Sequence, residues 1–278
     1  MLQRSPSYIL TLPGLDKIAQ LLGKLLPQRW VYRATRARYI WTQRFIYKAS
    51  RRWPHLVRKL LLLAVKKQLA GTSDMRHFTP HYQPWDERLC IVPDGDLFKS
   101  IRSGKASVVT GEIENFTERG ILLKSGQALE ADIIVTATGL NLQTFGGIDV
   151  RVDGQLCDPG KLMTYKSLLL QDVPNFAWIM GYINASWTLK VGIAANYLCN
   201  VFKIMDNKGH VSFVARAPNA EMQADSIMSA LGAGYVRRAE NLLPRQGRTL
   251  PWRMTHAYEI DKKMLTAAPI EDRYLHFA

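Results

Sequence analysis

Two short groups of small and polar residues stand where a ligand-binding sheet would need them. Thr138 and Gly139 follow the apolar run Ala131-Asp132-Ile133-Ile134-Val135, and Asn184, Ala185 and Ser186 follow the run Asn175 to Gly181. In open α/β sheets ligands sit beyond the carboxyl ends of strands. Ser186 also heads a long helical pattern, about Trp187 to Asn207. The first amides of such a helix offer hydrogen bonds and positive potential to an anion, or to the electron-rich pyrimidine edge of a flavin. Read one at a time, Ser186 is an N-cap and Gly139 a turn glycine. The phosphate-binding Gly-rich turn that usually opens a dinucleotide sheet has no counterpart. Gly232-Ala233-Gly234 comes nearest, but it lacks a third glycine and a preceding β-branched strand. The chain thus has an end for a dinucleotide fold and no beginning. Metal chemistry has little support: His77 and His81 are four apart, but Pro84 follows and no cysteine is close. No metal site is expected.

The elements that would position these residues fall into three stretches. Met1 to Gln3 reads as a short strand running into Ser5-Pro6. From Asp16 to Ala70 the pattern is helical: Trp30, Ala34, Ala37, Trp41 and Phe45 recur at three and four, and arginines keep the same period on another face. Pro54 suits the first turn of a further helix, His55 to Ala70, ended by Gly71. In the middle third, Ala106–Thr110, Ile113–Phe116 and Ile121–Lys124 read as short strands between turn signals. Two buried strands are expected after them, one a parallel strand over 131–138 and one over 175–181. The last seventy residues read as irregular.

Charge is concentrated. Of the 37 Lys and Arg, fourteen lie between Asp16 and Asp74 with no acidic residue among them. The other 23 balance the 23 Asp and Glu, so the formal +14 arises in one segment. The longest apolar run, Leu60 to Val65, is far too short to span a bilayer, and residues 1–6 lack the order of a secretory signal. Cys90, Cys157 and Cys199 are odd in number, widely spaced and in apolar settings, as in a reduced cytosolic protein.

Several stretches carry a family resemblance. They are Leu2-Gln3-Arg4-Ser5-Pro6; Tyr82-Gln83-Pro84-Trp85-Asp86-Glu87-Arg88-Leu89-Cys90; Pro93 to Phe98; Ala131 to Gln143; Gly181 to Lys190; and Pro251-Trp252-Arg253. Through them the chain resembles the C-terminal part of class B flavoprotein monooxygenases, the Baeyer–Villiger group, and closely its actinobacterial ethionamide-activating type. The resemblance implies an α/β fold, a partial flavoprotein of two Rossmann-like dinucleotide-binding domains with a basic helical insert. Residues 1–100 would end the NADPH-binding domain and carry the insert. Residues 101–278 would supply the return strands and C-terminal part of the FAD-binding domain. In full-length members both Gly-rich fingerprints precede the Gln-Arg-Ser/Thr-Pro stretch, so the first half of the sheet would precede Met1.

The chemistry implied by the resemblance is the cofactor's. NADPH reduces FAD, O2 adds to give a C4a-peroxyflavin, and that species attacks a ketone or oxidises a sulfur-containing compound. The motif places on Arg88 the arginine that stabilises the anionic oxygen, a task suited to a permanently charged, bidentate donor. Arg4 and Ser5 match positions that hold the 2′-phosphate of NADPH. Glu87 stands where some relatives have a lysine, which removes a third phosphate contact. Thr138, Gly139, Asn184, Ala185 and Ser186 match flavin-facing loops, and Trp252 matches an aromatic of the substrate cleft, a residue that core packing explains equally well.

Two other functions compete. Basic, aromatic-rich helices over 17–67 suit an anionic membrane surface; nucleic acid is not expected, because no recognised binding motif accompanies the charge. The location implied is cytoplasmic, or peripheral at the inner face of the cell membrane. The second competitor is a remnant that retains the site residues on half a scaffold, without catalysis of its own.

Overall fold

The computed structural model describes residues 1–87, 89–218 and 222–278. The chain divides into two compact units, Met1–Thr138 and Gly139–Ala278.

The first unit begins with β1 (Leu2–Gln3) and β2 (Ile9–Leu12), then α1 (Lys17–Gly23), α2 (Gln28–Arg52) and α3 (Pro54–Leu69). It continues through β3 (Cys90–Pro93), α4 (Asp96–Arg102) and β4 (Val109–Thr110). A meander of β5 (Ile113–Thr117), β6 (Gly120–Leu123) and β7 (Ala128–Glu130) completes it. β1 pairs with β4 and β2 with β3, both in parallel. Proline decides the helical break: Pro54 opens α3, and Trp53 (φ −133, ψ 62) turns the chain out of α2. Ala70 and Gly71 end α3 with φ of 50 and 82. The inner side of α3, Val65 and Leu69, packs on Phe78, Phe98, Ile101 and Val108. His77 is buried there, its Nδ1 2.9 Å from Thr110 Oγ1, and burial holds its imidazole below the ordinary value. At β6, a side chain on Gly120 would lie 2.0 Å from the Leu129 carbonyl oxygen, so only glycine fits.

The second unit holds the hairpins β8 (Arg151–Val152)–β9 (Gln155–Leu156) and β10 (Thr164–Tyr165)–β11 (Leu169–Leu170), then α5 (Trp187–Lys208). After α5 come β12 (Phe213–Ala215), β13 (Met222–Ser226), α6 (Gly234–Arg238), β14 (Arg245–Gly247), α7 (Tyr258–Thr266) and β15 (Leu275–Phe277). β12 pairs antiparallel with β15, and β13 with β14.

Four expectations need correction. Residues 131–138 are not a buried strand: they form no regular element and are exposed, with Ile133 and Val135 83% and 84% accessible. No strand among the described residues pairs with them, and an apolar strand is buried only when a sheet receives it. Residues 175–181 form one bridge, Leu169↔Ala177, rather than a strand. Asn175 takes a left-handed backbone (φ 53) and its Oδ1 accepts from Phe213 N, which breaks the ladder. The last seventy residues are better ordered than their composition suggests, because elements of three to nine residues leave little periodic signal. The cysteines are all free, as expected, but Cys90 and Cys199 are exposed rather than in apolar settings. No helix among the described residues is long and apolar enough to cross a membrane.

Asp16 ties α1 to α2. Its carboxylate accepts from Ala19 N at 3.0 Å as the N-cap of α1 and pairs with Arg38. The Arg38 bond and then the cap bond hold the carboxyl down at about 2, against an ordinary 3.8. A depressed carboxyl stabilises the fold above its unfolded value and loses that contribution as pH falls through its folded one. Asp16→Asn should therefore melt below the parent chain at pH 5, with the gap closing between about 3.8 and about 2; thermal unfolding across that range checks it.

Candidate functional site

Three turns meet on one apolar cluster in the second unit. The cluster includes Met180, Ile227, Met228, Leu231, Val236 and Met254, and Leu142, Ile183 and Ala233 pack against it from the three turns. In the first turn Gly139 takes φ 108, which favours glycine. Arg238 holds the next two residues, donating to the Leu140 carbonyl at 2.9 Å and to Asn141 Oδ1 at 3.3 Å. In the second turn, a side chain on Gly181 would lie 2.1 Å from the Trp187 ring, so glycine lets the indole fold back over the turn. The third is Gly232-Ala233-Gly234, where Ala233 is the N-cap of the five-residue α6. The structure thus brings the Gly139 turn and Asn184-Ala185-Ser186 onto a common support, while Thr138 is exposed at the end of the first unit.

The second turn has the composition of a ligand edge. Asn184 is only 3% accessible, yet its Oδ1 has no partner among the described residues. Ser186 occupies the N-cap position of α5 (φ −62, ψ 136), but its hydroxyl bonds Thr188 Oγ1 at 2.8 Å and not the helix amides. The expected side-chain cap is therefore not made. A 22-residue helix presents its first turn without a side-chain cap beside a desolvated acceptor. Donors and an acceptor at such an edge suit a flat heteroaromatic ring that carries both, as a flavin's pyrimidine edge does.

Sequence reasoning missed the polar cluster behind this turn. Lys190, one turn into α5, is fully buried, as is Asp261 of α7; their Nζ and Oδ2 are 2.7 Å apart. Thr255 donates to the other Asp261 oxygen at 3.1 Å. Nearby, Lys166 is also buried, with Nζ 3.4 Å from Tyr197 OH and 3.5 Å from Asp272 Oδ2. Tyr165 donates to that same oxygen at 2.6 Å. Lys166 and Ser167 both take positive φ, 52 and 55, to turn β10 into β11. Burial lowers both lysines from their ordinary value, opposed by Asp261 for Lys190 and by Asp272 for Lys166. Burial also raises Tyr165 and Tyr197. A signal did exist: Lys190 falls in register with the buried stripe Ile193, Ala194, Tyr197 and Val201, and Asp261 with Tyr258, Met264 and Leu265. A charge on an apolar stripe points to a buried partner.

The remaining candidates lie apart from these turns. Arg4 and Ser5 are exposed just past the carboxyl end of β1. Arg88 lies outside the described residues. The loop before it is well anchored: the Tyr82 carbonyl accepts from Tyr8 OH at 2.6 Å, and Asp86 pairs with Arg51 at 3.0 Å while accepting from Gln83 N. Trp252 is fully buried, edge-on to Tyr165 and Tyr274 at 5.3 and 5.8 Å, with Nε1 unpartnered. No group of three His, Cys, Asp or Glu among the described residues could hold a metal. Within the cluster, Lys190→Met leaves Asp261 buried without its cation, which should cost about 3–5 kcal/mol in a denaturant titration. Lys190→Met combined with Asp261→Leu should recover most of that loss, since neither charge is then stranded.

No family model matches the chain. Curated relatives do, along its whole length. It is 53% identical over 278 residues to a putative FAD-containing monooxygenase, MymA, of Mycobacterium tuberculosis. It is 51% identical over 277 residues to a probable FAD-binding monooxygenase, AlmA, of Acinetobacter baylyi. The FAD-containing monooxygenase EthA of Mycobacterium tuberculosis is 44% identical over 279 residues. The chain spans a little over half the length of these relatives, 56% of the first two and 57% of the third. Among solved structures, an oxidized steroid monooxygenase bound to NADP aligns with 95% of the chain and 59% of its own, at a TM-score of 0.61 and 16% identity. An FAD-bound OTEMO structure covers 77% of the chain and 48% of its own, at 0.56 and 15%. At such identities these structures show the fold alone: an α/β flavoprotein architecture with a helical insert. The family comes from the sequence relatives, by which the chain belongs to the class B FAD-dependent monooxygenases.

Proposed function

We propose that this chain supplies the C-terminal side of a flavin cradle, and the end of an NADPH-binding domain, in a monooxygenase that oxidises a ketone or a sulfur-containing compound with O2. The observation that carries this reading is the second turn: buried Asn184 Oδ1 without a donor among the described residues, beside the amino end of α5. Those groups fit the pyrimidine edge of FAD, with Asn184 accepting from a ring N–H and the α5 amides donating to ring carbonyls. Ala185 and Ser186 close the same edge, with Gly139 in the first turn; Thr138 is assigned to the flavin by the resemblance alone. Bound FAD, reduced by NADPH, supplies the oxygen-activating chemistry.

The division of labour follows the resemblance. Residues 1–100 serve NADPH, with Arg4 and Ser5 at its 2′-phosphate. Residues 101–278 serve FAD. Trp252 backs the substrate cleft from within its aromatic packing. The exposed apolar segment 131–138 forms no strand in this chain and is read as one that would join a sheet only when a neighbouring strand is supplied. Residues 17–67 are read as a surface toward an anionic membrane, favoured by exposed Trp30, Trp41, Phe45 and Trp53 in a segment that has fourteen Lys and Arg and no acidic residue.

The chain has no Gly-rich phosphate turn, so the flavin ring should dominate what it binds. Titrated into FAD and into riboflavin, it should quench both fluorescences with affinities within about threefold. Asn184→Ala should weaken both roughly tenfold, the worth of one buried hydrogen bond. Absence of quenching by the parent chain would remove the cradle reading. Arg88 is assigned to the developing oxyanion. In a flavin-loaded assembly that oxidises NADPH, Arg88→Ala should lower product formation by about 10²-fold or more while flavin reduction by NADPH persists. Comparing product yield with single-turnover bleaching of the flavin band checks this.

A further inference from the structure

We infer that the outer face of α3 is a docking surface for the anionic phospholipids of a membrane, with its leucine stripe in the acyl–headgroup boundary and its lysines at the phosphates. This rests on the reading of residues 17–67 as membrane-facing and specifies the residues, depth and lipid chemistry. Trp53, Leu56, Leu60 and Leu63 recur at three, four and three, so they form one stripe along the helix. They are 53%, 55%, 57% and 52% exposed. The inner face, Val65 and Leu69, is already buried in the core of the first unit. Both faces of α3 are thus apolar, and only one has a partner.

Cations flank the open stripe. Lys59, Lys66 and Lys67 are exposed, and none of them forms an ion pair among the described residues. Asp16, Asp74 and Asp86 pair with other cations, Arg38, Arg76 and Arg51. A trough runs along α3 beside the stripe, from His55 to Gly71, as two adjoining hollows of about 530 and 300 Å³ that share Leu63, Lys66 and Met75. Its floor is aliphatic, its rim carries Lys59, Lys66 and Lys67, and no carboxylate lines it. That pairing of an aliphatic floor with a cationic rim complements a phospholipid, which presents an acyl chain and a phosphate together. Beyond Trp53 the stripe is leucine, which gives successive nucleobases no planes to stack on and disfavours nucleic acid.

The test is cosedimentation of the full chain with vesicles of phosphatidylcholine alone or mixed with phosphatidylglycerol, in about 0.1 M salt, where the Debye length is about 10 Å. Binding should require phosphatidylglycerol. Leu60→Gln combined with Leu63→Gln keeps every charge and removes no core contact; it should weaken binding at least about tenfold. Leu56→Gln is an independent variant of the same stripe and should act in the same direction. Lys59→Gln, Lys66→Gln and Lys67→Gln together should abolish sedimentation. If the parent chain fails to sediment with anionic vesicles, the membrane reading of 17–67 falls, and this inference with it. If the parent sediments but the leucine variants match it, binding is by charge alone and only the inference falls. Displacement from the vesicles by a short DNA duplex at equal phosphate concentration would also overturn it.

Discussion

The ion pair between Lys190 and Asp261 holds the second unit in the arrangement its site requires. Each group is fully removed from water, and a lone buried charge is among the costliest things a fold can contain. At 2.7 Å each satisfies the other, so α5 and α7 must meet where these residues lie. Lys190 stands four residues after Ser186. Locking it to α7 fixes the amino end of α5 and therefore the turn from Gly181 to Ser186. Thr255 takes the second oxygen of Asp261, which brings the segment after Trp252 into the same constraint. This polar anchor lies behind the second of the three turns, and the apolar cluster that all three share rests on its own side chains.

The first unit handles charge in the opposite way. Most of its cations stand at the surface, and several of the ion pairs they make, such as Arg76 with Asp74 and Lys124 with Glu112, are more than half exposed. Surface pairs of that kind contribute little to stability. The unit is held instead by Val65, Leu69, Phe78 and Phe98 and by two short parallel ladders. Its helices are consequently free to keep aromatic and leucine side chains facing outward. That freedom is what makes an interfacial role for α3 physically reasonable.

Much of this organisation was legible in the residues. The helical segment from Asp16 to Ala70, its break at Pro54 and the long helix after Ser186 all follow from periodicity, proline and a polar start. The meander from Ile113 follows from alternating short runs and glycine turns. What could not be read was burial. Ile133, Ile134 and Val135 have the composition of a core strand and lie in the open, because composition states a preference and only a neighbouring strand can satisfy it. Trp252 invited a role in a cleft, yet it packs between two tyrosines that lie far from it in sequence, Tyr165 about ninety residues before it and Tyr274 about twenty after.

The sequence by itself determined family, the helical stretch 16–70 with its break at Pro54, the long helix after Ser186 and the location of net charge, since these depend on local chemistry and on motifs read in order. Tertiary structure alone decided that Asn184 keeps a buried oxygen with no partner among the described residues and that Ser186 leaves the helix amides without its hydroxyl. It alone decided that Lys190 finds Asp261 seventy-one residues away. The physical reason is desolvation. Whether a polar atom is an asset or a burden depends on how much water it loses and what replaces it, and both are set by residues distant in the chain.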